Sequence, residues 1–269
     1  MTDRLGLDLL TVRGTSAVEC VHLAADLGCR YVSTALGRLS PGESTSLRSD
    51  PGLRREMRAA LDERGVSIGL VDGVVVGPNR GIDQYERDID VLHELGAPRV
   101  NTLSFHADWQ QTVDDIGRLT ELMTASGIEV VVEAAPTYVP ESVPSALDLV
   151  AAVGSDLRLL IDTMHMGRSG VTPPEIAALD PALIGYVQLS DVPVPAPAGV
   201  SYRDEAETRR LEPGAGDLPL AEYLAAVPND VVIGLEVPNS ERLATLGPRD
   251  WAATCVRAAR ALEPVGGQL

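Results

Sequence analysis

The stretch "LRLLIDTMHMGRSG", residues 157–170, begins as a strand and ends on chemistry. Four of its first five residues are Leu or Ile; Asp162 follows at once, and His165 three residues later. Asp is a common turn residue, so one such segment could simply be a strand stopping. The same pattern recurs. Near-continuous apolar runs occupy 4–12, 29–36, 66–75, 99–105, 128–135, 157–162, 183–190 and 231–237. Between them lie segments with apolar residues three and four apart, such as "SAVECVHLAADLG" and "DDIGRLTELMTASG", and "DWAATCVRAARALE" follows the last. Strands without polar alternation, each followed by a helix, indicate a parallel sheet covered on its outer face. Eight such units in 269 residues predict a single (β/α)8 TIM barrel, one domain over 1–269 with no linker. Leu27-Gly28-Cys29 and Leu95-Gly96-Ala97 read as helix ends leading into the next strand. A doubly wound nucleotide-binding sheet is disfavoured, because "TVRGTS" after the first strand is no glycine-rich phosphate turn.

Composition narrows the function. Every one of the 22 basic residues is Arg. Schiff-base aldolases, pyridoxal-phosphate enzymes and P-loop nucleotidases all need a Lys amine, which a guanidinium that stays protonated cannot replace. A net charge of −17 disfavours nucleic acid and anionic membrane as partners. No apolar run reaches membrane-spanning length and the N-terminus lacks a signal-peptide pattern, so the expectation is a cytoplasmic protein, with a homo-oligomer open. The cysteines, Cys20, Cys29 and Cys255, fit neither a disulfide framework nor a zinc site.

In a parallel barrel the reactive groups sit at the C-terminal ends of the strands. The fifth strand ends in Glu133, the sixth in Asp162, the seventh delivers Gln188 and then Ser190 and Asp191, and the eighth delivers Glu236. Burying bare carboxylates is costly, and several together repel one another; a divalent cation resolves both. Glu133, Asp162, Gln188 and Glu236 form an all-oxygen set that suits Mn²⁺ or Mg²⁺. His165, one turn past a ligand, is a candidate catalytic residue, and His106 in "SFHADW" a candidate for lining the pocket, with Asp108 as the helix cap beside it. His22 and His93 fall within helices. The long segment 191–217 has no clear secondary structure and reads as a lid or binding loop. Of its arginines, Arg210 is the candidate substrate ligand, while Arg203 and Arg209 read as solvated.

At these residues the chain resembles the sugar phosphate isomerase/epimerase family, the xylose isomerase-like barrels. The matches are Glu133, "DTMH" at 162–165, "QLSD" at 188–191, "RLEPGAG" at 210–216 and "GLE" ending at Glu236. The resemblance implies a metal-dependent isomerase or epimerase acting on a small polyhydroxylated carbonyl compound through an enediolate. Glu133 and Glu236 would move the proton, with His165 and Arg210 orienting the substrate. Two departures stand out. Gln188 replaces the usual third-ligand His, and Ala215 replaces the Glu of the "PGEG" turn, whose role could pass to Glu212. Some dehydratases of the superfamily, resembling 3-dehydroshikimate dehydratase, also carry Gln at the third ligand, which keeps β-elimination as an alternative. Members of the barrel group that cleave DNA use a His-rich multi-zinc centre and a basic groove, and this chain offers four histidines and an acidic surface. A barrel that binds without reacting is the alternative of another class.

Overall fold

A computed structural model describes residues 4–38, 46–154 and 156–262. The ends of the expected domain, 1–3 and 263–269, lie outside the described residues. The elements follow one another as β1 (Leu5–Leu7), α1 (Ala17–Asp26), β2 (Tyr31–Ala35), α2 (Pro51–Arg64), β3 (Ser67–Asp72), α3 (Asp83–Leu95) and β4 (Arg99–Thr102). Then come α4 (Trp109–Thr124), β5 (Glu129–Glu133), α5 (Val143–Val153), β6 (Leu157–Asp162), α6 (Thr163–Ser169), α7 (Pro173–Ala177) and β7 (Ile184–Leu189). The chain closes with α8 (Tyr202–Thr208), α9 (Leu220–Ala226), β8 (Ile233–Leu235) and α10 (Ser240–Ala261). The eight strands form a closed parallel barrel in sequence order, β8 pairing β1 through Leu5–Ile233 and Leu7–Leu235. The expected (β/α)8 barrel is therefore observed.

Local chemistry sets the joints. Ser16, Asp50, Asp108 and Ser142 each accept a backbone N–H of the first turn of the following helix, satisfying donors that the helix cannot. Gly96 ends α3 at φ 71°, a left-handed conformation that side chains with a Cβ resist. The helix expected after the last strand is the second half of α10, which breaks at Gly247 (φ 75°) before Pro248.

Outward-facing strand residues and the helices build the large core, in which Leu5, Leu7, Leu92 and Trp251 are wholly buried. Residues on the other face of the strands fill the lumen in layers. Leu70, Val131, Leu160, Tyr186 and Val232 form a separate apolar plug, each such buried side chain contributing about 1.5–3 kcal/mol. At the N-terminal end of the strands Glu129 accepts from both Arg99 (3.1 Å) and Arg158 (2.8 Å), closing that mouth with an ion-pair network. At the opposite end the lumen turns acidic.

Candidate active site

Each of the eight strands delivers one polar side chain to the C-terminal end of the lumen: Asp8, Ser33, Asp72, Asn101, Glu133, Asp162, Gln188 and Glu236. These groups bond around the ring. Ser33 donates to Asp8. The Asn101 amide donates to Asp72 (2.7 Å) and Glu133 (2.9 Å). The Gln188 amide donates to Asp72 (3.3 Å) and Glu236 (3.0 Å). Arg210 enters from above, its Nη1 2.6 Å from Asp162 and 2.8 Å from Glu236.

The segment 157–170 explains itself here. Asp162 ends β6 and caps α6, accepting the His165 N–H at 3.1 Å, so strand end, helix start and site share one residue. The cap turns the His165 ring inward. Its Nε2 lies 2.9 Å from Glu133 Oε1 and its Nδ1 2.7 Å from the Tyr202 hydroxyl. With Glu133 ionised, Nε2 donates and Nδ1 accepts from Tyr202.

Charge is unevenly compensated: five carboxylates share one buried guanidinium, Arg210. At Asp162 burial would raise the pKa, but Arg210, His165 and the backbone bond together outweigh it and hold the carboxyl below the ordinary range. At Glu236 burial wins over Arg210, and the group lies well above that range. Burial, with Asp8 and Glu133 nearby, pushes Asp72 up to about 8; burial likewise raises Asp8 to about 6 despite the Ser33 bond. For Arg210 burial is overcome by Asp162 and Glu236, which raise its pKa.

A cavity of about 260 Å³ opens over this layer. Asp72, Asn101, Glu133, His165, Arg210 and Glu236 lie at its floor, and Leu10, Val75, Phe105 and Tyr138 are among its walls. The segment 191–217, expected to lack secondary structure, contains the short helix α8, which covers one side through Tyr202, Arg203, Ala206 and Glu207. The helix is hard to read because it carries no apolar stripe; its buried residue is Glu205, paired with Arg168 at 2.6 Å. Arg203 and Arg209 are exposed and pair with Glu207 and Asp204. Asp191 does not face the site: it accepts the N–H groups of Val192, Gly214 and Leu218 and so fastens the "PGAG" turn. A Cβ at Gly216 would strike the Asp191 carboxylate, so the turn needs glycine there.

Of the residues singled out from sequence, Glu133, His165, Arg210 and Glu236 meet at the cavity, and Asp162 and Gln188 lie buried among them. His106 is not among the lining residues; its Nε2 pairs with Asp115 at 2.8 Å. Glu212 is also outside the lining. Sequence reasoning passed over Asp8, Ser33, Asp72 and Asn101, which lie inside the runs 4–12, 29–36, 66–75 and 99–105 rather than at their ends. It also passed over Arg13, which lines the cavity with its Nε buried and without a partner among the described residues.

The donors fit a divalent cation. Buried Gln188 Oε1 and Asn101 Oδ1 have no hydrogen-bond partner among the described residues, and the acidic charge exceeds what Arg210 offsets. Two groups bring ligand atoms within 4.8 Å of one another: Glu133, Asp162 and His165, and Asp8, Asp72 and Glu236. Of the four residues expected as one metal set, Glu133 and Asp162 fall in the first group and Glu236 in the second, with Arg210 bridging Asp162 and Glu236 and Gln188 turning its amide nitrogen toward Asp72 and Glu236.

The family profile of xylose isomerase-like TIM barrels matches residues 21–262. The chain belongs to that family. No protein of curated function matches it by sequence. Among solved structures this family member is similar to the IolI protein with a bound zinc atom (16% identity, TM-score 0.79, 96% of this chain and 97% of that one). It is similar to the probable 3-DHS dehydratase AsbF of Bacillus anthracis (16%, 0.77, 95% and 98%) and to D-allulose 3-epimerase from Methylomonas sp. (15%, 0.70, 97% and 99%). It spans 43% of the length of a xylose isomerase-like TIM barrel/4-hydroxyphenylpyruvate dioxygenase fusion protein, at 21% identity and TM-score 0.78. Among the described residues no helix is long and apolar enough to cross a membrane.

Proposed function

We propose that this barrel is a divalent-metal-dependent isomerase or epimerase acting on a small polyhydroxylated carbonyl compound. The observation that carries the reading is a pair of carboxylates on well-separated strands, Glu133 at the end of β5 and Glu236 just after β8, both lining one small cavity beside groups able to hold a cation. Glu133, Asp162, Gln188 and Glu236 would hold Mn²⁺ or Mg²⁺, with His165 a further donor. When bound, the cation supplies Lewis-acid stabilisation of the oxygens of an enediolate.

The chain's own groups supply the proton transfers. Glu133 and Glu236, on different walls of the cavity, are placed to remove and return the proton. Return of the proton to the neighbouring carbon is isomerisation, and return to the opposite face is epimerisation. His165, fixed between Glu133 and Tyr202, orients a substrate hydroxyl, and Arg210 holds a substrate oxygen. The D-allulose 3-epimerase likeness supports this reading at the level of fold.

A second reading, dehydration of an acid-bearing substrate, has one observation in its favour. Of the three guanidinium groups at the cavity, Arg210 and Arg203 are paired within the chain, whereas Arg13 has no ion pair among the described residues. A free guanidinium beside apolar walls suits a substrate carboxylate.

The test is incubation of the Mn²⁺-loaded protein in D₂O with a panel of ketoses, inososes and 3-dehydroshikimate. Deuterium beside the carbonyl in an isomeric product, lost in both Glu133→Gln and Glu236→Gln, is expected. A product lighter by one water identifies the dehydratase instead. No exchange into any of them overturns the proton-transfer reading.

A further inference from the structure

The lower acidic group has no part in the proton transfers assigned above, except through Glu236. Asp8, one residue past β1, Asp72, the last residue of β3, and Glu236 each bring a carboxylate oxygen to within 4.8 Å of the others. Asp8 is 2% exposed and lies outside the cavity lining; its side chain accepts from Ser33 and from the Leu10 N–H. No cationic side chain pairs with Asp8 or Asp72 among the described residues; Arg210 reaches Glu236 and Asp162.

A separate observation points to a missing partner at the same place. Tyr186 is wholly buried, and its hydroxyl has no hydrogen-bond partner among the described residues, although a buried phenol ordinarily finds one. It stands two residues before Gln188 on β7, and its hydroxyl lies 2.5 Å from where a Cβ on Gly234 would sit, two residues before Glu236. The hydroxyl is thus directly beneath the acidic layer. Gln188, 1% exposed, adds a second unpartnered oxygen, Oε1, on the amide whose nitrogen donates to Asp72 and Glu236. Water could satisfy the hydroxyl and the amide but would leave Asp8 and Asp72 without a counter-charge beside Glu236, which shares Arg210 with Asp162. A cation answers to all of them.

We propose that Asp8, Asp72 and Glu236 form a second divalent-cation site in the barrel floor, above the Tyr186 hydroxyl, with the Gln188 amide, whose nitrogen faces Asp72 and Glu236 here, turning over to present its oxygen to the ion. The donors are oxygens alone, without imidazole or thiolate, which selects a hard ion such as Mn²⁺ or Mg²⁺. Asp72 and Glu236 line the cavity, so the ion enters from it. Glu236 and Gln188 are shared with the upper set; Asp8 and Asp72 belong to the floor alone, and Glu133 and Asp162 to the upper set alone. The floor site does not depend on the reaction proposed above.

The experiment is calorimetric titration of Mn²⁺ into chelator-stripped protein, with free Mn²⁺ counted by electron paramagnetic resonance. The unmodified chain is expected to bind two ions. Asp8→Asn and Asp72→Asn, which keep side-chain shape, are expected to bind one, and Glu133→Gln is expected to keep the floor ion while losing the other. One ion in the unmodified chain, or a stoichiometry that Asp8→Asn leaves at two, overturns the floor site. If the Asp8 variant does not fold, Glu133→Gln decides: one retained ion supports the site, and none overturns it. Two ions without turnover on any substrate would sink the reaction and leave the site standing. One ion with turnover would do the reverse.

Discussion

Two carboxylates touch the same guanidinium and come to opposite states. Asp162 receives the His165 N–H and the His165 ring as well as Arg210, and those interactions together outweigh burial. Glu236 has Arg210 and the Gln188 amide but lies among Asp8, Asp72 and Asp162, so burial and like charge prevail. Glu236 is therefore held well above the ordinary carboxylate range, and Glu236→Gln, which keeps the shape, should lower kcat by about 10²–10⁴-fold with the fold intact. Near-normal turnover in steady-state assays would remove it from the mechanism. Arg210→Ala leaves both acids without their counter-charge, and chemical denaturation of the chelated protein should show a loss of about 3–5 kcal/mol. Glu133 and Glu236 could be read from sequence because each interrupts a long apolar run at a strand end. Asp8 escaped because the apolar run continues after it through "LLTV", which reads as more strand, whereas β1 stops at Leu7. Asp72 and Asn101 escaped because a single Asp before Gly, or an Asn inside a polar strand end, has a turn or surface reading until the barrel closes around it. The bonds from Arg210 to Asp162 and Glu236 join residues 48 and 26 apart in sequence, and only the fold brings them together.

Among the elements, the least legible is α8. Ser201 caps it through the Asp204 N–H, yet its seven residues bury an acid where helices normally bury apolar residues, so no periodicity betrays it. What docks it is the bidentate pair of Arg168 on α6 with Glu205, 2.7 and 2.6 Å, both partners largely buried. That pair links α6, which carries His165, to the helix that carries Tyr202, so one contact sets both ends of the His165–Tyr202 bond. Glu205→Ala leaves Arg168 with only the Pro193 carbonyl and should release α8 from the barrel. Hydrogen exchange should rise over residues 201–208 while the strands stay protected, and KM should increase more than kcat falls. Unchanged exchange in that segment would mean that the backbone of the 191–217 loop, fastened by Asp191, holds α8 without the ion pair. The barrel itself was legible from end to end because its evidence is repeated eight times, and no single strand has to be read correctly for the count to stand.

For the whole molecule, the acidic layer ties stability to pH and to metal. Asp8 and Asp72 have folded-state values near 6 and 8, above their ordinary 3.8, because folding buries them. A carboxyl raised on folding binds its proton more tightly in the folded chain than in the unfolded one. Its contribution is thus fully present below about pH 4 and is lost as pH rises toward the folded value. Asp162, lowered on folding, has the opposite sign and costs stability only as pH falls below the ordinary carboxylate range. Chelator-stripped protein should therefore be most stable in mild acid and lose roughly 2 kcal/mol through Asp8 and roughly 5 kcal/mol through Asp72 between pH 4 and 8. Urea unfolding across that interval measures the slope. Asp72→Asn removes the later of these two titrations and should flatten the upper part of the window, between about pH 6 and 8. Saturating Mn²⁺ should flatten it too in the unmodified chain, because a cation stabilises the same charges that burial penalises, and it does so more strongly as pH rises and protons stop competing. A stability curve that Mn²⁺ lifts equally at pH 5 and pH 8 would show the ion bound elsewhere, away from the groups that titrate.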